Sequence, residues 1–153
     1  MVDGETFDRE WLYHLYQHAM KPCIEATWGW DEEFQSKGFD IHLKPAYWKI
    51  IVNNLDRIGA FVLKEGDDYL WLEMIIIRPE YQQKGIGRRV LTYIQTIAKE
   101  KSLPLRLSVI KANPVRPFYL KLGFDQYEED ESFYKMQWCS ERCVQVDSDC
   151  CAH

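Results

Sequence analysis

The chain has 153 residues, of which 46% are hydrophobic and 28% charged, and its formal net charge is −5. This size and composition are typical of one globular domain with a substantial core. The acidic balance disfavours nucleic acid as a partner, because that binding depends on basic surface that neutralises phosphates. No apolar run approaches the roughly 18 residues of a membrane span, and the acidic N-terminus is unlike a signal peptide. We therefore predict a cytoplasmic protein that binds neither nucleic acid nor a membrane.

The N-terminal region is predicted to form two helices. The first covers residues 6–27, with Thr6 as its cap. Its core-facing residues are expected to recur every four positions, at Phe7, Trp11, Leu15 and Ala19. The second helix is shorter, over Asp31–Lys37, and its own acidic residues stabilise its start.

The segment between these helices, residues 27–35, combines two tryptophans with three acidic residues. Aromatic walls attract a cation and carboxylates hold it, so Trp28, Trp30 and Glu33 are candidate residues of a pocket for a cationic acceptor. The alternative is a packing corner followed by a solvated acidic turn.

No metal site is predicted. His14 and His18 have metal-ligand spacing on a helix, but no third ligand is evident. Four cysteines, Cys139, Cys143, Cys150 and Cys151, crowd the end of the chain with His153 without matching a zinc pattern. We predict one domain over residues 1–139 and a flexible tail with reduced thiols over residues 140–153.

From Pro45 the hydrophobic period changes from that of a helix to that of strands. The strand at residues 69–77 is apolar except for Glu73, and Arg78-Pro79 ends it. The predicted elements after Pro45 are strands at 46–52, 58–63 and 69–77, a helix at 86–99, a strand at 105–109, a short helix at 114–122, and a hairpin of 124–127 with 133–138.

The turn between the Glu73 strand and its following helix has the sequence Gln82-Gln83-Lys84-Gly85-Ile86-Gly87. Its glycines allow close backbone approach, and the helix start offers N–H groups and a positive dipole end to a phosphate. A P-loop requires Gly-Lys-Ser/Thr, which is absent, and a dinucleotide fingerprint requires a third glycine or alanine where Val90 stands. The remaining fingerprint, Gln/Arg-x-x-Gly-x-Gly/Ala after an apolar strand, is matched.

With this loop the sequence resembles the GNAT superfamily of N-acetyltransferases. The segment Asn113–Phe124 resembles the second GNAT signature, an asparagine followed by Tyr119-x-x-x-Gly123-Phe124. We expect Asn113 to cap the short helix and Gly123 to stop it. The resemblance covers residues 6–138 and implies an α/β (α+β) fold with a mixed, mostly antiparallel central sheet flanked by helices on both faces.

Three features depart from the family pattern. The usual first strand is missing or rudimentary. The commoner second signature has one more residue between the asparagine and the tyrosine. Pro117 falls inside the predicted short helix.

The resemblance implies acetyl-coenzyme A as co-substrate and no metal. Backbone groups of the strand would pair with the pantetheine arm, amides of the loop would hold the pyrophosphate, and Asn113 would contribute a further contact. The implied cofactor-binding residues are Ile75, Ile76, Ile77, Gln82, Gln83, Lys84, Gly85, Ile86, Gly87, Arg88 and Asn113.

Acetyl transfer to a primary amine requires a base, because only about one in a thousand such amines is neutral at pH 7. Glu73 is the leading candidate, since a carboxylate in an apolar strand becomes a stronger base when buried. Tyr119 is the candidate acid for the departing thiolate. The alternatives are a solvent-facing or ion-paired glutamate and a core tyrosine.

The sequence thus predicts an N-acetyltransferase in which a small-molecule or protein amine attacks acetyl-coenzyme A directly in a ternary complex. A non-catalytic acyl-coenzyme A-binding or regulatory module of the same fold is the second interpretation. A nucleotide-binding protein of another fold is the third. The sequence leaves the oligomeric state open and allows a homodimer.

Overall fold

The computed structural model describes residues 1–140, which form four α-helices and a sheet of seven strands. The elements in chain order are β1 (Val2–Asp3), α1 (Arg9–Trp28), α2 (Glu32–His42), β2 (Trp48–Asn53), β3 (Asp56–Glu65), β4 (Leu70–Ile77), α3 (Ile86–Lys101), β5 (Leu105–Ile110), α4 (Arg116–Lys121), β6 (Asp125–Glu129) and β7 (Phe133–Trp138). The strand order is β1-β2-β3-β4-β5-β7-β6. The predicted fold, a mixed and mostly antiparallel sheet flanked by helices, is confirmed.

The chain divides into two compact units. The first contains Met1–Leu63 and Glu73–Lys84, and the second contains Lys64–Leu72 and the residues from Gly85 onward. The single domain predicted over residues 1–139 stays a prediction, and residues 141–153 of the predicted tail lie outside the described residues. None of the helices within residues 1–140 combines the length and apolar character needed to cross a membrane.

In the first unit, three consecutive strands pair antiparallel. Val2 lies opposite Ile50, and Trp48 lies opposite Val62. Trp48 is fully buried, and its indole N–H donates to the Leu43 carbonyl at 3.1 Å, which satisfies the one polar group of this large core side chain. Only two residues form β1, so the family's first strand is present in rudimentary form.

The predicted core stripe of the first helix is wrong at both of its ends. Phe7 is 80% exposed and Ala19 is exposed. Residues four apart advance by about 40° around a helix of 3.6 residues per turn, so a strict four-residue repeat drifts off the buried face. Thr6–Asp8 also form a separate 3₁₀ turn before α1, and Thr6 does not cap it. The buried residues of α1 are Leu12, Tyr13, Leu15, Tyr16, Cys23 and Ile24.

The start of α1 is tied to β3 by a buried charge. Asp8 is 3% exposed, its Oδ2 accepts from the Glu5 N–H at 2.9 Å, and its Oδ1 lies 2.6 Å from Arg57 Nη2. This second contact lacks hydrogen-bond geometry and is therefore mainly electrostatic. The Arg57 guanidinium also lies 5.1 Å from the ring centre of Trp11, so one cation joins the turn, the helix and the strand.

In the second unit, the first residues of β4 run parallel to β5, with Leu70 opposite Leu105 and Trp71 opposite Arg106. Strands β5, β7 and β6 continue antiparallel, and the hairpin predicted to close the fold is confirmed. The core of this unit contains residues with at most 2% exposure from α3, β5, β7 and the turn that follows α4. These include Leu91, Ile94, Leu105, Leu107, Phe124 and Met136.

Helix α3 begins without a capping side chain. Gly85 is its N-cap in the left-handed region, with φ of +79°, and its carbonyl accepts the Arg89 N–H at 3.1 Å. Non-glycine residues rarely adopt this φ, so glycine here supplies conformational freedom. It does not supply space, because an added Cβ would meet no atom within 4 Å.

Replacing Gly85 or Gly38 by alanine tests the backbone conformation without a steric clash, because an added Cβ meets no atom within 4 Å at either position. Gly85→Ala must hold a left-handed φ, so we expect its free energy of unfolding to fall by about 1–2 kcal/mol. Gly38 lies inside α2, where we expect Gly38→Ala to raise that free energy by about 0.5–1 kcal/mol. Urea titrations measure both values. Shifts of the same sign would contradict this account of Gly85.

Candidate functional site

Strand β4 carries the candidate base and the three isoleucines. Glu73 is half-buried, so the full burial that the apolar strand suggested is absent. Ile76 is 5% exposed, and Ile75 and Ile77 are half-buried. The parallel ladder with β5 contains the pairs of Leu70 and Trp71, and the later residues of β4 take no part in it.

On its other side β4 packs closely against β3. A Cβ added to Gly59 of β3 would lie 2.3 Å from the Ile76 carbonyl oxygen and 3.1 Å from the Ile77 Cα. No side chain fits at such a distance, so a glycine is required for this approach. The Arg78 N–H then donates to the Ile58 carbonyl at 2.9 Å, which fixes the strand end that leads into the loop.

The loop after β4 is closed by its own side chains. Pro79–Tyr81 form a 3₁₀ turn, and the Gln82 side-chain amide donates to the Ile77 carbonyl at 2.8 Å. Gln83 has a left-handed φ of +62°. The Gln82 side chain therefore holds the loop in shape, and the Gln82 N–H donates to the Pro79 carbonyl at 3.2 Å, so Gln82 serves the loop itself. The ligand contacts predicted for Gln83 and Lys84 would come from their backbone.

The start of α3 provides the amide donors that the sequence predicted. In helix geometry the N–H groups of Ile86, Gly87 and Arg88 have no intrahelical acceptor, and Gly85 has no side chain to cap them. Arg88 is exposed at this end of the helix. These N–H groups and the positive end of the helix dipole suit an anionic group such as a phosphate.

Tyr119 lies in α4 and is 7% exposed. Its ring makes edge contacts with Phe118 and Phe124 at centroid distances of 5.3 and 5.5 Å. The Tyr119 carbonyl accepts the N–H groups of Leu122 and Phe124, so the end of the helix fixes its backbone as well. Burial raises the pKa of Tyr119 to about 12. The group is therefore a neutral phenol at any physiological pH.

Two residues around α4 differ from the prediction. Asn113 does not cap α4. Its N–H donates to the Ile110 carbonyl and its own carbonyl accepts the Val115 N–H, so the chain makes another turn and Val115 becomes the N-cap. Because the helix starts at Arg116, Pro117 falls in its first turn, where no N–H donor is needed. The predicted stop at Gly123 is confirmed, with φ of +91° and its N–H on the Leu120 carbonyl.

The segment between α1 and α2 forms an aromatic groove of about 410 Å³ in the first unit. Trp28 and Phe34 are 55% and 71% exposed in it. Glu33 does not line the groove, because it forms an exposed ion pair with Lys37 one helical turn later at 2.8 Å. The lining residues are Trp28, Gly29, Trp30, Asp31, Phe34 and Gln35.

Glu32 organises this segment and was missed by the sequence analysis. Its carboxylate accepts hydrogen bonds from the Trp30 indole at 2.8 Å, the Tyr13 hydroxyl at 2.7 Å and the Gln17 amide at 3.2 Å. The bond from Trp30, and next the bond from Tyr13, lower the pKa of Glu32. Tyr13 and Gln17 stand four residues apart on α1 and so share one face of that helix. This pair of donors could have indicated from the sequence that an acid of the next segment packs there.

Burial and the bond to Glu32 raise the pKa of Tyr13 to about 12. Glu32 is therefore a charged acceptor and Tyr13 a neutral donor at neutral pH. The second acid of the segment, Asp31, caps α2 by accepting the Phe34 N–H at 2.9 Å. Both acids thus fix the position of Trp30 and Phe34 in the groove wall.

Within residues 1–140 no group of three or more His, Cys, Asp or Glu side chains could hold a metal ion. His14 and His18 are exposed on α1. That the protein works without a metal stays a prediction.

Known structures resemble this chain over nearly its whole length. The PaiA N-acetyltransferase of Thermoplasma acidophilum, in complex with coenzyme A, gives a TM-score of 0.73 at 22% identity and covers 90% of this chain and 96% of that protein. An acetyltransferase from Thermus thermophilus gives 0.71 at 15% identity, covering 91% and 95%. Naa20 of Chaetomium thermophilum, in complex with a bisubstrate analogue, gives 0.62 at 18% identity, covering 91% and 87%. At these identities the likeness establishes the fold.

No curated protein matches the chain in sequence. The model of the acetyltransferase (GNAT) domain matches residues 46–126, which is just over half of the chain. That match runs from the 3₁₀ turn before β2 into β6, and it includes β4, the Gln82–Gly87 loop and Tyr119. The chain therefore belongs to the GNAT acetyltransferase family.

Proposed function

We propose that this protein transfers the acetyl group of acetyl-coenzyme A to a primary amine by direct attack of the amine. One observation carries the proposal. Strand β4 leads directly into the uncapped start of α3 through a loop in which Gln83 and Gly85 have left-handed φ values. Along the chain the backbone groups of β4 come before the amide donors of α3, and this order supports binding of an extended pantetheine arm that ends in a pyrophosphate.

Residues 75–88 supply the proposed contacts to the co-substrate. Ile75, Ile76 and Ile77 would pair with the pantetheine amides, as an added strand does along a sheet edge. The short ladder of β4 with β5 supports this role, because it does not use these residues. Gly85 would let the loop backbone approach the pyrophosphate, and the N–H groups of Ile86, Gly87 and Arg88 would donate hydrogen bonds to its oxygens.

Glu73 is the proposed base that takes the proton from the amine. Its half-buried position on β4 keeps contact with solvent, which suits transfer of the proton through a water molecule. A backbone N–H of β4 would stabilise the negative oxygen that forms when the amine attacks the thioester.

Tyr119 is the proposed group that meets the departing sulfur. A phenol with a pKa of about 12 is a weak acid toward a thiolate whose conjugate acid has a pKa near 8.5. Full proton transfer would be uphill by about 5 kcal/mol before any change in environment. We therefore propose that Tyr119 donates a hydrogen bond to the thiolate, which stabilises the developing charge.

The Trp28–Phe34 groove is the proposed place where the acceptor amine is selected. A protonated amine gains cation–π attraction from exposed aromatic rings. The Lys21 Nζ lies 5.9 Å from the centre of the Trp30 ring, and this contact supports a role of the groove in binding cations. Glu33 is the less supported member of the predicted set, because Lys37 neutralises it.

A non-catalytic acyl-coenzyme A-binding module is the second candidate. The presence of both Glu73 and Tyr119 favours an enzyme over such a module. The identity of the acceptor, a homodimer, the cytoplasmic location and the lack of nucleic-acid and membrane partners stay predictions.

Two measurements on the full chain test the proposal. Isothermal calorimetry should detect coenzyme A, while ATP and NAD should give no binding at the same concentrations. Amines incubated with acetyl-coenzyme A should then be screened for release of free thiol and for the acetylated product. Coenzyme A binding with no product from any amine would favour the non-catalytic module, and ATP or NAD binding alone would reject the cofactor assignment.

Tyr119→Phe should lower kcat by about 10²-fold or more, because the sulfur loses its hydrogen-bond donor in the transition state. The affinity for coenzyme A measured by calorimetry should stay within a factor of about two, since the ring is retained. Because burial raises the pKa of Tyr119 to about 12, the wild-type rate should show no alkaline decline from this group below about pH 11. Tyr93→Phe, at a half-exposed position of α3, is the matched control. Unchanged turnover of Tyr119→Phe would reject the role.

Glu73→Gln should lower kcat/KM by about 10²–10⁴-fold at neutral pH, where the acceptor amine is almost wholly protonated. The deficit should shrink as pH rises, because the amine then loses its proton without help. A pH–rate profile from pH 6.5 to 10 measures this trend. Glu65→Gln, which removes an exposed carboxylate paired with Lys101, is the control. An equal loss of activity across the whole pH range would indicate a structural role for Glu73.

A further inference from the structure

Arg106 of β5 is held by three neighbours in the second unit. Its guanidinium carbon lies 4.6 Å from the ring centre of Tyr69 and 5.1 Å from that of Tyr127. Its Nε donates to Oε1 of Gln137 at 2.6 Å, and Gln137 is the residue opposite Arg106 in β7. The two rings and the amide restrict the position of the guanidinium, so little further ordering is needed when it binds a ligand.

The terminal end of this guanidinium has no acceptor within residues 1–140. The hydrogen bond to Gln137 uses Nε, and neither Nη atom takes part in a hydrogen bond or an ion pair with another described residue. Three of the six other arginines within residues 1–140 do pair with carboxylates. These pairs are Arg9 with Asp40, Arg57 with Asp8, and Arg78 with Glu80.

The acidic residues near Arg106 in the described chain form no ion pair with it. Its charged neighbours on β6 and β7, Glu128 and Lys135, pair with each other at 2.8 Å. Burial raises the pKa of Tyr127, and the charges of Arg106, Lys135 and Glu128 also act on that pKa. These three charged groups therefore lie near the Tyr127 hydroxyl. Asp125 of β6 lies opposite Gln137, so this face carries a second acidic residue, and no described ion pair joins it to Arg106.

A guanidinium with free Nη atoms binds a planar oxyanion through two parallel hydrogen bonds. We propose that Arg106 is a binding residue for a carboxylate group carried by a ligand. A carboxylate monoanion suits this face better than a phosphate dianion, because Glu128 and Asp125 would repel the larger negative charge more strongly. Trp71 stands against Tyr69 with ring centres 6.4 Å apart, and this aromatic pair provides an apolar flank for the carbon skeleton of the ligand.

A purely structural role is the competing explanation, since the stacked arginine also joins three strands. Arg116 provides a matched comparison for it. Its guanidinium lies over one ring, Tyr134 at 4.8 Å, and its Nε donates to the side-chain oxygen of Gln126 at 2.9 Å. Glu129 lies close enough to interact electrostatically with Arg116, so that cation has a carboxylate neighbour.

The test is a titration of the full chain followed by NMR of the arginine Nε–Hε groups, with sodium chloride balancing the ionic strength. The probes are propionate, inorganic phosphate and propylammonium. We expect propionate to shift the Arg106 resonance in a saturable manner, phosphate to bind more weakly, and propylammonium to have no effect. Arg106→Lys should weaken propionate binding by roughly tenfold, because lysine lacks the planar pair of donors. Arg116→Lys should leave propionate binding unchanged.

Variants of Tyr127 keep the test decisive if Arg106→Lys fails to fold. Tyr127→Phe retains the ring and should bind propionate as the wild type does. Tyr127→Leu removes one side of the stack and should weaken binding several-fold. The proposal is overturned if the Arg106 resonance does not respond to propionate, if phosphate binds more tightly, or if a folded Arg106→Lys binds propionate equally well. Because binding alone is measured, none of these results depends on acetyl transfer.

Discussion

The left-handed turn at Gly85 is the constraint on which the proposed function depends. A largely apolar strand has to end and a helix has to begin within a few residues, and the first helical N–H groups must stay uncapped. A serine or aspartate at this position would satisfy those donors itself and would compete with a ligand. Glycine leaves them uncapped and also permits the φ of +79°. The same residue therefore allows the turn and leaves donors for an anion.

Features that depend on local pattern could be predicted from the sequence. The strands have an apolar run or a period of two, and the Gln82–Gly87 loop and Gly123 depend on conformations that glycine favours. The fold class followed once the two signatures were placed in order. Long-range geometry could not be derived in this way. The burial of Tyr119, for example, depends on Phe124 and on packing that spacing along the chain does not encode.

The errors have specific physical causes. Helix α2 extends past Gly38 to His42 because Phe39, 2% exposed, contributes about 2–3 kcal/mol on burial and offsets the roughly 1 kcal/mol cost of a helical glycine. Asn113 does not cap α4, because its N–H and carbonyl form the backbone hydrogen bonds of a preceding turn, and the helix begins only after that turn. Glu32 and Glu33 are both acids beside tryptophans, so the local sequence does not distinguish them, and the prediction named Glu33 whereas Glu32 organises the segment. Only the positions of Tyr13 and Gln17 on α1 decide between them.

Burial has opposite consequences for the two proposed catalytic groups. Tyr119 is enclosed by aromatic rings, which keeps it neutral and makes it a better hydrogen-bond donor than acid. Glu73 is half-buried, and a carboxylate in contact with water can exchange a proton with it after each turnover. An amine that arrives protonated needs an exit for its proton, whereas a thiolate needs only a stabilising donor. The difference in exposure between the two side chains matches that difference in task.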